Sequence, residues 1–81
     1  MTLLDLPEGL VVEISALQGG AALVERLHAF GFFTGSMVRL VKAAPFRGPL
    51  LVEDVTTGAR VMIGRGMAGK IEVSHGDPAR S

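Results

Sequence analysis

The chain contains no cysteine among its 81 residues, so neither a disulfide nor a cysteine-ligated metal can hold the fold together. Small domains often depend on such crosslinks. Hydrophobic residues make up 48% of the sequence and must supply the stability through one continuous core. The missing cysteine fits a reducing compartment, and the residues after Met1 include two acids and an early proline rather than a cationic leader. We therefore expect a single cytoplasmic domain.

The sequence also lacks an excess of either charge. Lys plus Arg number 8 and Asp plus Glu number 8, so the formal net charge is zero and the chain exerts no long-range electrostatic attraction on a nucleic acid. Tyrosine and tryptophan, which provide stacking platforms for bases, do not occur. No apolar run approaches the roughly 20 residues that span a bilayer. We expect a soluble protein that does not bind nucleic acid and meets a membrane only through a partner.

Two periodicities divide the chain into strands and one helix. Residues 10–16 alternate with a period of two, which is typical of a strand. Residues 21–30 place Leu23, Leu27 and Phe30 on one helical stripe. Further strands are predicted over residues 37–42, 50–55, 60–63 and 70–73.

The order of these elements predicts the fold class. Five short strands with one helix after the first strand can bury a one-sided sheet only if the sheet curls on itself. We expect a mainly β fold, a small partly open barrel of about five strands. The barrel is predicted to occupy residues 1–74, with a disordered tail over residues 75–81.

Residues 64–70 match two phosphate-loop patterns, GxGxxG and GxxxxGK. Both patterns need a following helix whose N-terminal amides hold the phosphates. Ile71 stands where a magnesium-binding hydroxyl is required, and residues 71–73 have strand character. The segment is therefore interpreted as a glycine-rich turn that binds no nucleotide.

Glu25 and His28 are the one recognisable pair of metal ligands, because they lie three residues apart on the polar side of the predicted helix. His75 is the only other imidazole, and a stable transition-metal site usually needs three or four protein ligands. A solvated helix face is the simpler interpretation of the pair.

The serines and threonines show no arrangement with a base that would indicate a nucleophile. We expect neither a cofactor nor an enzyme.

Phenylalanines 30, 32, 33 and 46 are the only aromatic residues. They can either pack in the core of a small barrel or act as exposed anchors at a protein interface. Phe33 and Phe46 are the better candidates for exposure, because each lies beside turn residues.

Several segments resemble the FeoA (ferrous iron transport protein A) family, and the resemblance runs from about residue 6 to residue 73. LPEG at residues 6–9 resembles the family's opening Leu-x-x-Gly. RLHAFGFFTGS at residues 26–36 resembles its Arg-Leu-x-x-Leu-Gly-Leu-x-Pro-Gly-Ser and is the most specific segment. The sequence departs from this pattern at Phe32, where an aliphatic residue is usual, and at Thr34, where proline is usual.

The resemblance implies an SH3-like barrel and a cytoplasmic accessory of ferrous iron uptake that binds the G-protein domain of a FeoB-type membrane transporter. The alternative is a metal-sensing or regulatory domain, related to the C-terminal domain of iron-dependent repressors, that forms a homodimer or docks beside a repressor. For partner binding we expect one pocket lined by the helix and the loop of residues 45–49. Its candidate contact residues are Arg26, Leu27, Phe33, Phe46 and Arg47.

Overall fold

A computed structural model describes residues 1–75, with the backbone but not the side chain of His75. After one turn of 3₁₀ helix, Leu3–Asp5, five strands and two helices follow in chain order. They are β1 Val11–Leu17, α1 Ala21–Ala29, β2 Met37–Ala43, β3 Leu50–Asp54, β4 Arg60–Ile63, α2 Arg65–Ala68 and β5 Ile71–His75. Within residues 1–75, neither helix has the length and apolar character needed to cross a bilayer.

The five strands form one antiparallel sheet in the order β4-β3-β2-β1-β5. Register shifts interrupt the β1–β5 pairing between Ile14 and Ala16 and the β2–β3 pairing between Leu40 and Lys42. Such bulges bend strands and let a sheet curl. The order leaves β4 and β5 at the two edges of the sheet, so the barrel is partly open, as the sequence predicts. The N-terminal residues cover part of the β5 edge, where Thr2 bridges to Glu72 and the Val73 amide donates to the Met1 carbonyl at 2.8 Å.

One face of this curled sheet supplies the hydrophobic core. Alternate residues of the strands point inward and are almost completely buried, as the period of two requires. The buried strand residues are Val12, Ile14, Val38, Leu40, Leu50, Val52, Ile63, Ile71 and Val73. Leu27 of α1 and Phe32 join the same cluster, which shows how the helix is fixed to the barrel.

The end of α1 differs from the predicted helical stripe. Leu27 is fully buried and Leu23 packs at the edge of the core, but Phe30 is 38% exposed. The reason is the chain reversal at Gly31, whose φ of +92° is one that residues with a Cβ rarely adopt. The Phe32 amide then donates to the Leu27 carbonyl at 2.9 Å, which turns Phe32 and not Phe30 into the core.

Two boundaries also differ from the sequence prediction. The glycine-rich segment contains the four-residue helix α2 where a turn was expected, with Gly64 as its N-cap. Strand β5 continues to His75, one residue beyond the predicted end of the barrel. The disordered tail predicted for the rest of the chain, residues 76–81, lies outside the described residues.

Candidate partner-binding sites

The connection between β2 and β3 is a tight hairpin with a strained tip. The Ala44 amide donates to the Pro49 carbonyl at 3.0 Å, and the Gly48 amide donates to the Pro45 carbonyl at 3.2 Å. Between them, the two central residues of the turn have φ values of 58° and 61°. Two-residue hairpin turns of type I′ require positive φ at both positions, which is why Asn-Gly is their usual sequence. Here the two positions are occupied by Phe46 and Arg47, which we call the hairpin tip.

The hairpin tip carries costs that packing does not offset. Left-handed backbone costs an L-residue about 1–2 kcal/mol relative to its normal conformation. Phe46 is 98% exposed, more than any other large apolar side chain in residues 1–75. Hydrophobic burial of its ring therefore does not offset the backbone cost. A strained residue with an exposed aromatic side chain is a reason to look for function at that position.

A second candidate site is an open cleft of about 380 Å³ where the chain leaves α1. We call it the helix-exit cleft. It is lined by Phe30, Gly31, Phe33, Ser36, Asp54, Thr56, Thr57 and Ala59. The lining thus combines the segment after α1 with the turn between β3 and β4.

Register brings these two segments together. Ser36 precedes β2, and the Ile14 amide of β1 donates to its carbonyl at 2.9 Å. In the next strand pair, Val38 of β2 lies opposite Asp54 at the end of β3. The β3–β4 turn is therefore held beside the start of β2. Its conformation is fixed by Asp54, whose Oδ1 accepts the amide hydrogens of Thr56 at 2.9 Å and Thr57 at 3.3 Å.

Phe33 forms one wall of the helix-exit cleft and is 48% exposed. Its ring stacks on the imidazole of His28, with the ring centroids 4.6 Å apart and the planes inclined by 18°. The Phe33 amide also donates to Ser36 Oγ at 3.0 Å. These contacts hold the exposed ring in place beside the end of α1.

The structure separates residues that we expected in one pocket. The helix-exit cleft lies at the Met37 end of β2, whereas the hairpin tip follows its Ala43 end. At about 3.3 Å per residue, the two ends of β2 are roughly 20 Å apart along the strand. The helix-exit cleft and the hairpin tip are therefore two separate candidate sites.

The candidate contact residues also differ in accessibility. Arg26 of α1 and Arg47 are exposed, as are both candidate phenylalanines. Leu27, also among the candidate contact residues, has no exposed surface in this structure. Its side chain faces the core because it lies on the buried side of α1, and it acts through stability instead.

Glu25 and His28 are both exposed on α1. Among the side chains of residues 1–74, no three from His, Asp and Glu are grouped closely enough to share a metal ion. We predict that Zn²⁺ or Fe²⁺ leaves the melting temperature nearly unchanged. Two exposed ligands give the folded chain little more affinity for a metal than the unfolded chain has, so metal binding stabilises the fold very little. Thermal unfolding with and without metal tests this. A large metal-dependent rise that His28→Ala abolishes would contradict it.

The glycine-rich segment does not form a phosphate loop. Helix α2 spans only Arg65–Ala68, and the chain then enters β5 at Ile71. The Lys70 carbonyl accepts a hydrogen bond from the Gln18 amide at 2.7 Å, which ties the segment to the end of β1. A phosphate loop needs a longer following helix and a hydroxyl for Mg²⁺.

We therefore predict that the protein shows no saturable binding of GTP at micromolar concentration. Fluorescence titration with a labelled nucleotide is the measurement. A saturable signal that Lys70→Ala removes would contradict the prediction.

Fold and surface together define the class: a small SH3-like barrel with one inserted helix and exposed aromatic residues at two separate sites. A sequence model of the FeoA domain matches residues 1–75. The chain belongs to the FeoA domain family, which confirms the resemblance seen in its sequence motifs. No curated protein sequence matches the chain significantly.

Solved structures agree with this assignment. Iron(II) transport protein A from Clostridium thermocellum is 26% identical, with a TM-score of 0.86. That match covers 94% of this chain and 46% of that protein, so the chain spans about half the length of this relative. FeoA from Stenotrophomonas maltophilia, solved with zinc and described as an SH3 domain protein, is 29% identical with a TM-score of 0.76, covering 91% of this chain and 89% of that one.

The manganese regulator SloR is also similar in structure, with a TM-score of 0.77 at 20% identity. The match covers 91% of this chain but 34% of SloR. At this identity the similarity shows a shared fold and carries no statement about regulation.

Proposed function

We propose that this protein is a small cytoplasmic accessory of ferrous iron uptake that binds the G-protein domain of a FeoB-type membrane transporter and catalyses no reaction. Membership of the FeoA domain family supports a place in ferrous iron transport. Two similar structures point the same way, one an iron(II) transport protein A and the other a FeoA for which a role as a ferrous iron transport activating factor has been suggested.

The observation that carries partner binding is the hairpin tip. Phenylalanine and arginine are both enriched at protein interfaces relative to the rest of the protein surface. The tip presents one of each, Phe46 and Arg47, side by side on a short turn. The turn is held by backbone hydrogen bonds, so little ordering entropy is lost on binding. In this proposal Phe46 enters an apolar pocket of the G-protein domain, and Arg47 pairs with a carboxylate at the pocket's rim.

The helix-exit cleft provides a second contact area. A standard interface covers about 800 Å² of each partner, which corresponds to a patch about 28 Å across. The barrel measures 32 × 30 × 23 Å, so one partner of ordinary size can reach from the hairpin tip to the region of Phe33 and Arg26. Arg26, exposed on α1, is a candidate ion-pair donor there.

Iron uptake by living cells tests the proposed role. Cells of the source organism without this chain are expected to accumulate radioactive ferrous iron more slowly, and a plasmid copy should restore the rate. The Phe46→Ala variant, produced at the same level, should not restore it. Uptake at the normal rate in cells lacking the chain would contradict the proposal.

A further inference from the structure

The lining of the helix-exit cleft has a consistent chemistry. It contains one carboxylate, that of Asp54, and three hydroxyl groups, those of Ser36, Thr56 and Thr57. Lysine and arginine do not contribute to it, so the lining carries a net negative charge. Two phenylalanine rings supply the apolar part. A cleft of this kind favours a ligand that is both cationic and partly apolar.

Backbone amides hold three of the oxygen-bearing side chains of the lining in position, those of Ser36, Asp54 and Thr57. Ser36 Oγ accepts the Phe33 amide, and Thr57 Oγ1 accepts the Ala59 amide at 3.2 Å. Asp54 uses Oδ1 for the two amides of the β3–β4 turn, which leaves Oδ2 able to accept from a ligand. These acceptors are fixed before any ligand arrives, so binding requires little reorganisation.

The two phenylalanines complete the site. Phe30 is 38% exposed and Phe33 is 48% exposed. The stack between Phe33 and His28 restricts the ring of Phe33. Aromatic rings attract cations placed over their faces, and the guanidinium group of arginine also stacks on them.

We propose that the helix-exit cleft binds an arginine side chain of a protein partner. The guanidinium donates to Asp54 Oδ2 and to the hydroxyl oxygens, and the methylene groups pack against Phe30 and Phe33. Arginine fits better than lysine because its planar group presents five donors to acceptors that are spread around the cleft. Other occupants fit less well. A phosphate group would be repelled by the carboxylate of Asp54. A divalent cation would need more charged ligands than the single carboxylate of the cleft.

This inference depends on the proposed function only in taking the arginine from a partner protein, and the site can be tested without that partner. N-acetyl-arginine amide is titrated into the ¹⁵N-labelled protein and followed by NMR, with N-acetyl-citrulline amide as a neutral ligand of nearly the same shape. We expect arginine to shift the amide signals of Phe33, Ser36, Thr56 and Thr57. We expect citrulline to bind at least about fivefold more weakly, because it lacks the charge.

Asp54→Asn is the decisive variant. Asparagine keeps an oxygen that can accept the amides of Thr56 and Thr57, so the turn is retained while the charge is lost. Arginine binding should fall to the level of citrulline. Glu8→Gln is the matched control, because Glu8 Oε2 likewise accepts a backbone amide, that of Ala43, but at the other end of β2. It should leave arginine binding unchanged.

Three results would overturn the inference: equal binding of arginine and citrulline, signal shifts that map away from the cleft, or unchanged arginine binding by Asp54→Asn. Failure of the proposed function has a different signature. If the transporter's G-protein domain does not bind while arginine still occupies the cleft, the site stands and only the identity of its partner changes.

Discussion

Replacing Phe32 with alanine is expected to lower the free energy of unfolding by about 3–5 kcal/mol. Phe32 is 1% exposed and is the largest fully buried side chain in the described part of the chain. Its removal leaves a cavity that the bulged, hydrogen-bonded barrel cannot close fully. A domain of this size has a total stability of only about 4–12 kcal/mol, so the loss would remove a large part of the free energy of unfolding.

Urea denaturation followed by circular dichroism measures this loss, with Phe33→Ala as the matched control. Phe33 is the next residue but lies half exposed over α1, so its truncation should cost about 1 kcal/mol or less. Leu27→Ala should fall between the two variants or near Phe32→Ala, at about 2–5 kcal/mol. If Phe32→Ala does not fold, Phe32→Leu should show a smaller loss of the same sign. Equal losses for Phe32→Ala and Phe33→Ala would contradict the assignment of Phe32 to the core.

The second large effect concerns binding and not stability. Phe46→Ala and Arg47→Glu should each weaken binding of the transporter's G-protein domain at least tenfold, or about 1.4 kcal/mol, while the melting temperature stays nearly unchanged. The ring of Phe46 has no buried surface to lose, and the hairpin is held by hydrogen bonds of its neighbours. Surface plasmon resonance and thermal unfolding on the same protein samples separate the two quantities.

Two further variants test the assignment of the interface to the hairpin tip. Phe46→Gly should be at least as stable as Phe46→Ala, because glycine adopts positive φ without steric cost, yet it should bind equally poorly. Glu13→Lys changes an exposed residue on the outer face of β1 and should bind normally. If the tip variants bind as tightly as the parent while Glu13→Lys disrupts binding, the interface lies on the barrel wall.

Local pattern in the sequence was enough to predict the fold. The period of two in β1 depends on neighbouring residues alone, and it was confirmed. The family motifs gave the SH3-like class. Phe32 was harder to place, because its burial follows from the chain reversal at Gly31 and not from the helical stripe that favoured Phe30.

The candidate sites depend on features that one sequence does not reveal. The register of β2 against β3 places Asp54 beside Ser36, residues that are 18 positions apart, and so creates the helix-exit cleft. The same register puts the hairpin tip at the far end of β2. No sequence pattern indicated the positive φ values at Phe46 and Arg47 either, since neither residue type favours that conformation.

Isothermal titration calorimetry with the isolated G-protein domain of the FeoB-type transporter from the same organism measures the proposed binding itself. We expect saturable binding with a Kd of about 10 µM or tighter for the parent chain, and at least tenfold weaker binding for Phe46→Ala. The absence of detectable heat with the G-protein domain in both its GDP-bound and its GTP-bound state would contradict the proposed binding, provided that both proteins are folded at about 100 µM.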